Sequence, residues 1–192
     1  MKVHIYLFRH GQTTFNRDKK FTGWLDSKLT PLGKKQAQTI AKKLKNKQID
    51  VAVQTTLSRS KDTLKYVLKY HPECRQILND NRMIERHYGK LQGLSHDAVI
   101  KKYSEKQYET WHRSYSTPPP KGESIKMVER RVNSFIKDLL IFVRKYGKNV
   151  AISAHGNSMR PFRKYFEKLS NEKMMKLENP WDDYFEYTIN VK

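Results

Sequence analysis

The stretch Lys2-Val3-His4-Ile5-Tyr6-Leu7-Phe8-Arg9-His10-Gly11 decides how the fold of this chain is interpreted. Residues 2–8 alternate and are rich in β-branched and aromatic side chains, a pattern that predicts a strand. The polar side chains of Arg9 and His10 follow directly, and Gly11 allows another group to approach the backbone closely. These two side chains are therefore expected just beyond the carboxyl end of a strand.

Helices and short strands alternate along the rest of the chain. Thr30 and Pro31 predict a helix start, with Thr30 as N-cap and Pro31 in the first helical position. The apolar face of this helix is predicted to comprise Leu32, Ala37, Ile40, Ala41 and Leu44. The clearest helix is predicted over 125–146, where apolar side chains follow a period of about 3.6 residues, and Gly147 ends it.

The remaining elements are shorter, and their predicted bounds are approximate. Strands are predicted at 51–53, 77–78, 150–152 and 184–191, and helices at 58–69, between Ser95 and Tyr115 (two), from about Asn157, and after Ser170. The polar, glycine-containing stretches 9–28 and 80–95 are expected to be loops, and the first of them to be functional.

This alternation predicts the α/β fold class: three layers, with a mostly parallel central sheet and helices on both faces. We expect residues 1–192 to form a single domain, because this length supports one sizeable core. In such sheets the ligand site lies beyond the carboxyl ends of the strands. His155, Gly156 and Asn157 follow the 150–152 strand, so the fold offers a way to bring His155 close to His10.

Composition excludes several classes of protein. The sequence has no run approaching the about 20 apolar residues that span a bilayer, and its N-terminus is too short and too alternating for a signal peptide. We therefore expect no membrane association and a cytoplasmic location. Cys74 is the only cysteine, which excludes an internal disulfide and a cysteine-based zinc site.

The chain is strongly basic, with 39 Lys and Arg against 19 Asp and Glu, a formal net charge of +20. Such a field attracts anions, which include nucleic acids and phosphorylated metabolites. The lysines are spread along the whole chain rather than gathered in one tail or stripe, which favours solvated helix faces. Nucleic-acid binding, which would depend steeply on salt, is expected to be a side activity at most.

The polar residues at the strand ends have the chemistry of a phosphoryl-transfer site. A histidine attacks phosphorus when its ring is neutral, when positive charge holds the phosphoryl oxygens, and when an acid protonates the leaving oxygen. Arg9 and Arg59 would supply that charge, since a guanidinium binds phosphate through two parallel bonds. Together with His10 and His155 they form a candidate phosphate pocket, in which Glu85 is the candidate proton donor.

Several motifs resemble a known family, in matching order over nearly the whole chain. The stretch from Leu7 to Asn16, with Arg9-His10-Gly11, resembles the signature of the histidine phosphatase superfamily. Four further motifs resemble its cofactor-dependent phosphoglycerate mutase branch: Phe21-Thr22-Gly23-Trp24-Leu25-Asp26, Leu29-Thr30-Pro31-Leu32-Gly33, Glu85-Arg86-His87-Tyr88-Gly89-Lys90-Leu91-Gln92-Gly93 and Ala154-His155-Gly156-Asn157-Ser158-Met159-Arg160. The Glu-Arg-His-Tyr-Gly and Phe-Thr-Gly-Trp elements are the most specific to mutases.

The resemblance implies a phosphoglycerate mutase-like fold and a role for each matching position. His10 would carry the phosphoryl group, Arg9, Arg59 and His155 would hold it in flight, and Glu85 would be the general acid and base. The residues implied to bind phosphate or the remainder of a small acidic substrate are Thr13, Asn16, Thr22, Gly23, Arg86, Tyr88, His96, His112, Arg113, Gly156 and Asn157.

The resemblance also implies ligands and partners. The substrate would be a phosphoglycerate, 3-phosphoglycerate being converted to 2-phosphoglycerate in glycolysis and gluconeogenesis, and 2,3-bisphosphoglycerate would prime the enzyme. No metal is implied, since the histidines have the charge partners of a phosphate site rather than a metal-ligand spacing. Family members form monomers, dimers and tetramers, so a homodimer is compatible with the resemblance.

The chain departs from the mutase pattern at positions that would bind the substrate. His96 stands where mutases usually have Lys, and His112 and Arg113 stand where they usually have an Arg pair. If these histidines replace fixed cations, substrate affinity is expected to fall between pH 6 and 8. The segment 117–124 is also short compared with the lid insertion of many mutases. The specific motifs favour a mutase, and these departures favour a phosphatase acting through the same histidine.

Overall fold

The structure is a computed structural model that describes residues 1–191. A five-stranded sheet lies at its centre. The strands are β1 (Lys2–Arg9), β2 (Val51–Gln54), β3 (Gln76–Asn79), β4 (Val150–Ala154) and β5 (Tyr184–Asn190), in the order β3-β2-β4-β1-β5. β3, β2, β4 and β1 pair in parallel, whereas β5 runs antiparallel along the outer edge of β1. The predicted mostly parallel sheet is confirmed, and β5 is the strand that makes it mixed.

Eight α-helices connect the strands within the described part of the chain. They are α1 (Thr14–Arg17), α2 (Pro31–Leu44), α3 (Ser58–Leu68), α4 (His96–Tyr103), α5 (Glu105–Arg113), α6 (Ile125–Tyr146), α7 (Gly156–Glu167) and α8 (Asn171–Met175). Two single 3₁₀ turns, Asn81–Met83 and Gly89–Leu91, lie in the stretch predicted as a loop. None of these helices is long and apolar enough to cross a membrane.

The helix ends follow the predicted capping signals. The Thr30 side chain accepts a hydrogen bond from the backbone N–H of Gly33, and Pro31 begins α2. Gly147 ends α6 in the left-handed conformation, with φ of 60°, which glycine adopts without steric cost. One detail of α2 is wrong: Leu32 is 50% exposed, because it lies in the first turn, outside the buried stripe.

The two faces of the sheet are covered by different helices. On one face Val3, Ile5 and Leu7 of β1 pack in a cluster with α6 and α7, while Tyr6 and Phe8 point to the other face and pack with α2 and α3. This period of two is the alternation that the sequence shows in β1. The three-layer architecture is thereby confirmed.

The predicted functional loop between β1 and α2 is more ordered than its polar sequence indicates. It contains α1, in which the Thr13 and Asn16 side chains cap each other's backbone N–H groups. A helix of four residues is too short to show a hydrophobic period, so the sequence gives no sign of it. Gly11 packs so closely on Gly33 that a Cβ at this position would clash with the Gly33 carbonyl.

Candidate active site

The two strand-end histidines meet at the carboxyl edge of the sheet. Arg9 of β1 pairs in register with Ala154 of β4, so the next residues, His10 and His155, are neighbours. Their ring centroids lie 5.0 Å apart, and their exposures are 2% and 0%. The predicted convergence of two histidines distant in sequence is therefore present in the fold.

His10 has the protonation state that a nucleophile needs. Its Nδ1 lies 2.7 Å from the carbonyl oxygen of Gly11 and donates a hydrogen bond to it, which leaves the lone pair on Nε2. Burial lowers the pKa of His10 well below its usual range, and the charges of Arg59 and Arg9 add to this effect. The ring is therefore neutral near pH 7, with one nitrogen available to attack.

Two buried guanidinium groups supply fixed positive charge beside His10. Burial lowers the pKa of Arg9 and of Arg59 to about 10, so both side chains remain charged at neutral pH. Arg59, at the start of α3, donates to the carbonyl oxygens of Leu25 and Gly23 at 2.9 and 2.7 Å. The positive φ of Gly23, 52°, belongs to the turn that presents these carbonyls to Arg59.

Arg9 is oriented by the first turn of α7 and by the C-terminal segment. Its Nη1 donates to the carbonyl oxygen of Asn179 at 3.2 Å, and its guanidinium carbon lies 4.4 Å from the centroid of the Trp181 ring. A Cβ at Gly156 would lie 3.4 Å from the same carbon, so the guanidinium also packs against the start of α7. Stacking of this kind fixes the plane of a guanidinium.

Several buried nitrogen atoms around His10 have no hydrogen-bond partner in the described chain. They are Nε of Arg9, Nε of Arg59 and Nδ1 of His155, whose Nε2 lies 2.8 Å from the hydroxyl of Thr55. Buried polar atoms without a partner cost free energy unless a ligand satisfies them. A phosphoryl group brings three acceptor oxygens, so its chemistry fits this set of nitrogen atoms.

Glu85 lies across the pocket, in the segment between the two 3₁₀ turns. Its Oε1 accepts hydrogen bonds from the backbone N–H groups of Arg86 at 2.7 Å and of Asn157 at 3.2 Å. Arg131 of α6 holds the backbone of this segment by donating to the carbonyl oxygens of Ile84 and Glu85 at 2.8 and 2.9 Å. Glu85 is 8% exposed, and these hydrogen bonds fix the position of its carboxyl group.

A pocket of about 250 Å³ lies beside these groups and contains most of the predicted binding residues. The predicted residues that line it are Arg9, Asn16, Thr22, Gly23, Glu85, Tyr88, His96, His112, Gly156 and Asn157. The lining residues that sequence reasoning did not assign are Lys19, Lys20, Phe21, Arg160, Leu177, Glu178, Asn179 and Trp181.

Six predicted site residues do not line the pocket: the buried His10, Arg59 and His155, and the binding residues Thr13, Arg86 and Arg113. Thr13 is buried and caps α1, and Arg86 is buried and donates to the carbonyl oxygens of Glu123 and Trp111 at 2.6 and 2.8 Å. Arg113, whose side chain is 61% exposed, faces Glu109 one turn earlier in α5. It lies about 100° around the helix from the inward-facing His112, so Arg113 is not among the residues that line the pocket. Thr13 and Arg86 support neighbouring elements instead.

His96 and His112 line the pocket as neutral rings. Burial lowers the pKa of His112 to about 4 and shifts the pKa of His96 in the same direction. The rings lie 5.4 Å apart and pack with Phe21 and Tyr108. Because the pKa of each ring is lowered, the structure does not support the expected fall of affinity between pH 6 and 8.

The buried neutral histidines make a prediction about stability. His10 and His155 both have a pKa lowered well below 6.5 by burial, so below that pH the unfolded chain binds protons that the folded chain does not. Each ring then removes about 1.4 kcal/mol of stability per pH unit. We expect urea denaturation to give a free energy of unfolding at least about 2 kcal/mol lower at pH 5.5 than at pH 7, because His112, whose pKa is lowered to about 4, adds to the effect of His10 and His155.

The matched variant for this prediction is His10→Gln, which removes one of these protonation sites. We expect about 1 kcal/mol of the pH dependence to disappear in this variant. An unchanged slope between pH 7 and 5.5 would mean that His10 is protonated in the folded chain.

The site has the composition of an anion site rather than a metal site. No group of three or more His, Cys, Asp or Glu side chains in residues 1–191 could hold a metal ion. The positive charges and free nitrogen atoms instead surround one neutral histidine. Fold and site together define an α/β enzyme that handles phosphate esters.

The chain belongs to the histidine phosphatase superfamily. The family model for the histidine phosphatase superfamily (branch 1) matches residues 5–188. The chain is 40% identical over 177 residues to a 2,3-bisphosphoglycerate-dependent phosphoglycerate mutase of Parvibaculum lavamentivorans, an alignment that covers 90% of this chain and 84% of the relative. It is 32% identical over 216 residues to the protein of the same name in Methanococcus vannielii, with 99% and 92% covered.

Solved structures of phosphatases share the fold. A mycobacterial glucosyl-3-phosphoglycerate phosphatase superposes with a TM-score of 0.84 at 24% identity, covering 98% of this chain and 91% of that chain. A putative alpha-ribazole-5'-P phosphatase from Escherichia coli superposes with a TM-score of 0.85 at 22% identity, with the same coverage. At this identity the likeness establishes the fold alone.

Proposed function

We propose that this enzyme is a 2,3-bisphosphoglycerate-dependent phosphoglycerate mutase, which interconverts 3-phosphoglycerate and 2-phosphoglycerate through phospho-His10. The observation that carries the proposal is the buried, neutral His10, whose Nδ1 donates to Gly11 so that the lone pair is on Nε2, with the ring of His155 and the charges of Arg59 and Arg9 close by. The names of the 32–40% identical relatives support the mutase over other reactions of the superfamily.

In this proposal the phosphoryl group moves between His10 and an oxygen of the substrate. Nε2 of His10 attacks phosphorus, the phosphorus–oxygen ester bond breaks, and Glu85 gives a proton to the leaving oxygen. Arg9, Arg59 and His155 neutralise the charge on the three equatorial oxygens during transfer. In the return step, deprotonated Glu85 takes the proton from the attacking hydroxyl.

The remaining pocket residues orient the substrate. Asn16, Thr22, Gly23, Gly156 and Asn157 would line the phosphate end, and the hydroxyl of Tyr88, which accepts from Asn157 Nδ2 at 3.1 Å, stands beside them. His96 and His112 would contribute neutral hydrogen-bonding groups.

2,3-Bisphosphoglycerate supplies the phosphoryl group that primes His10. The residues present fit it, since the nitrogen atoms around His10 suit one phosphoryl group and Lys19 and Lys20 add positive charge for a second. We place the reaction in glycolysis and gluconeogenesis, with no metal required.

A phosphatase acting through the same phospho-histidine is the second candidate. The supporting observation is that two residues expected to bind the substrate bring no positive charge to the pocket. Arg113 faces Glu109 outside the pocket, and His112 is neutral. A weaker hold on the bisphosphorylated intermediate would let water reach phospho-His10, and the product would then be inorganic phosphate.

A paired assay on the purified protein separates these two functions. With 3-phosphoglycerate in EDTA, one arm measures 2-phosphoglycerate with and without 2,3-bisphosphoglycerate, and the other measures released phosphate. We expect isomerisation stimulated by the bisphosphate, with little phosphate released. Phosphate release without isomerisation would replace the mutase by the phosphatase.

A further inference from the structure

The pocket lacks the positive charge that a carboxylate substrate needs at the positions where it was expected. Arg113 is exposed and faces Glu109, and the pKa of His112 is lowered to about 4 by burial. A carboxylate in a partly buried site is stabilised by a charged donor, and most strongly by a guanidinium. Another residue of this chain must therefore supply the charge if the substrate is a small phosphorylated acid.

Arg160 lies at the pocket wall in a position to do so. It stands on α7, four residues after Gly156 and three after Asn157, so the three residues share one face of the helix. All three line the pocket. The neighbouring cations of α7 face elsewhere, since Arg163 pairs with Glu167 and Lys164 pairs with Glu129.

The charge of Arg160 has no acidic partner in residues 1–191 within 4.0 Å. Glu178 lines the same pocket without forming an ion pair with it. Arg160 lies near the like charge of Arg9: burial lowers the pKa of Arg9, and the charge of Arg160 lowers it further. Two like charges facing one pocket are stabilised when an anion lies between them.

The other cations of the pocket are less suited to fix a ligand. Lys19 is exposed, and the ammonium of Lys20 lies 5.5 Å from the centroid of the Phe15 ring. Lysine is a point charge on a flexible stem, whereas the planar guanidinium of Arg160 matches the two oxygens of a carboxylate.

We propose that Arg160 binds the carboxylate of the substrate and thereby selects phosphorylated acids over neutral phosphate esters. This inference rests on the proposed function for its substrate class. It assigns to Arg160 the substrate-binding role that the resemblance implied for His96, His112 and Arg113. Arg160 is a binding residue, and His10, Arg9 and Arg59 keep the transferring phosphoryl group.

The test compares two ligands that differ only at the group in question. 3-Phosphoglycerate and glycerol 3-phosphate share the phosphate and the carbon chain, but only the first has a carboxylate. Binding of each is measured by calorimetry to the full-length chain with His10→Ala, so that no ligand is consumed. The same measurement is made after adding Arg160→Gln, Arg160→Lys or, as a control for lost charge, Arg144→Gln, which lies at the exposed end of α6.

We expect Arg160→Gln to weaken binding of 3-phosphoglycerate about tenfold to a hundredfold, and binding of glycerol 3-phosphate less than about threefold. Arg160→Lys should restore part of the loss, and Arg144→Gln should change neither ligand. An equal loss for both ligands would place Arg160 on the phosphate and overturn the inference, as would no loss for either ligand.

The outcome is separate from that of the paired mutase assay. If that assay shows phosphate release, a loss of affinity in Arg160→Gln for 3-phosphoglycerate but not for glycerol 3-phosphate still establishes that Arg160 binds the carboxylate. If the His10→Ala chain binds both ligands equally, no residue contributes binding energy through the carboxylate. The inference is then wrong, whatever the mutase assay shows.

Discussion

Replacement of His10 by Ala should abolish turnover of 3-phosphoglycerate and of any other phosphate ester, with a loss of about 10⁴-fold or more. The reason is that no second nucleophile is positioned to replace it. His155, the other ring at the strand ends, lies against Thr55 through its Nε2. Steady-state assays at saturating substrate, with substrate binding measured separately, test this prediction.

The matched control is another histidine of the same strand. His4 lies in the middle of β1, pairs with Glu186 at 2.8 Å, and has no contact with the pocket. His4→Gln should therefore keep wild-type turnover. If His10→Ala retained wild-type activity while His4→Gln lost it, the assignment of the nucleophile would be wrong.

Glu85→Gln should lower turnover of 3-phosphoglycerate by about 10²- to 10⁴-fold, because the amide cannot give a proton to the leaving oxygen. The amide keeps the shape of the carboxyl group and can still accept from the N–H groups of Arg86 and Asn157. Circular dichroism and thermal melting should therefore show a folded protein. The exposed Glu109 is the control, and Glu109→Gln should leave turnover unchanged.

The leaving group distinguishes a proton donor from a structural role. p-Nitrophenyl phosphate releases an acidic phenol, which leaves without protonation, so its hydrolysis should depend far less on Glu85. We expect Glu85→Gln to slow 3-phosphoglycerate turnover much more than p-nitrophenyl phosphate hydrolysis. An equal loss on both substrates would show that Glu85 shapes the pocket and is not the acid.

The elements with strong local signals are those that the sequence predicted well. The 3.6-residue period over Ile125–Tyr146 and the stop at Gly147 gave the bounds of α6 directly. α1 was missed, since four residues show no period. The antiparallel direction of β5 was also not predicted, because the side-chain pattern of a strand does not reveal which neighbour it pairs with or in which direction.

The site was predictable where it depends on strand ends and not where it depends on helix faces or distant segments. The meeting of His10 with His155 follows from parallel strands ending at one edge. Arg113 was expected to face the pocket, but its side chain faces Glu109, because neighbouring positions on a helix face different directions. The contact of Arg9 with Asn179 and Trp181 joins positions about 170 residues apart, and no local pattern in the sequence indicates it.

Arg160 could have been found from a helix pattern. It follows Gly156 by one turn, so a helix beginning at Gly156 predicts that both share a face. Arg160 ends the motif Ala154-His155-Gly156-Asn157-Ser158-Met159-Arg160, but the resemblance implied no role for it. A search for charged residues one turn after each strand-end motif would have found it.

The most direct measurement of the central claim follows one phosphoryl group. The protein is incubated with 2,3-bisphosphoglycerate carrying radiolabelled phosphoryl groups, separated from free ligand, and then mixed with unlabelled 3-phosphoglycerate. We expect an acid-labile label on His10, mapped by mass spectrometry, that passes rapidly into phosphoglycerate rather than into inorganic phosphate. Label on another residue would contradict the role of His10, and label released only as inorganic phosphate would contradict the mutase.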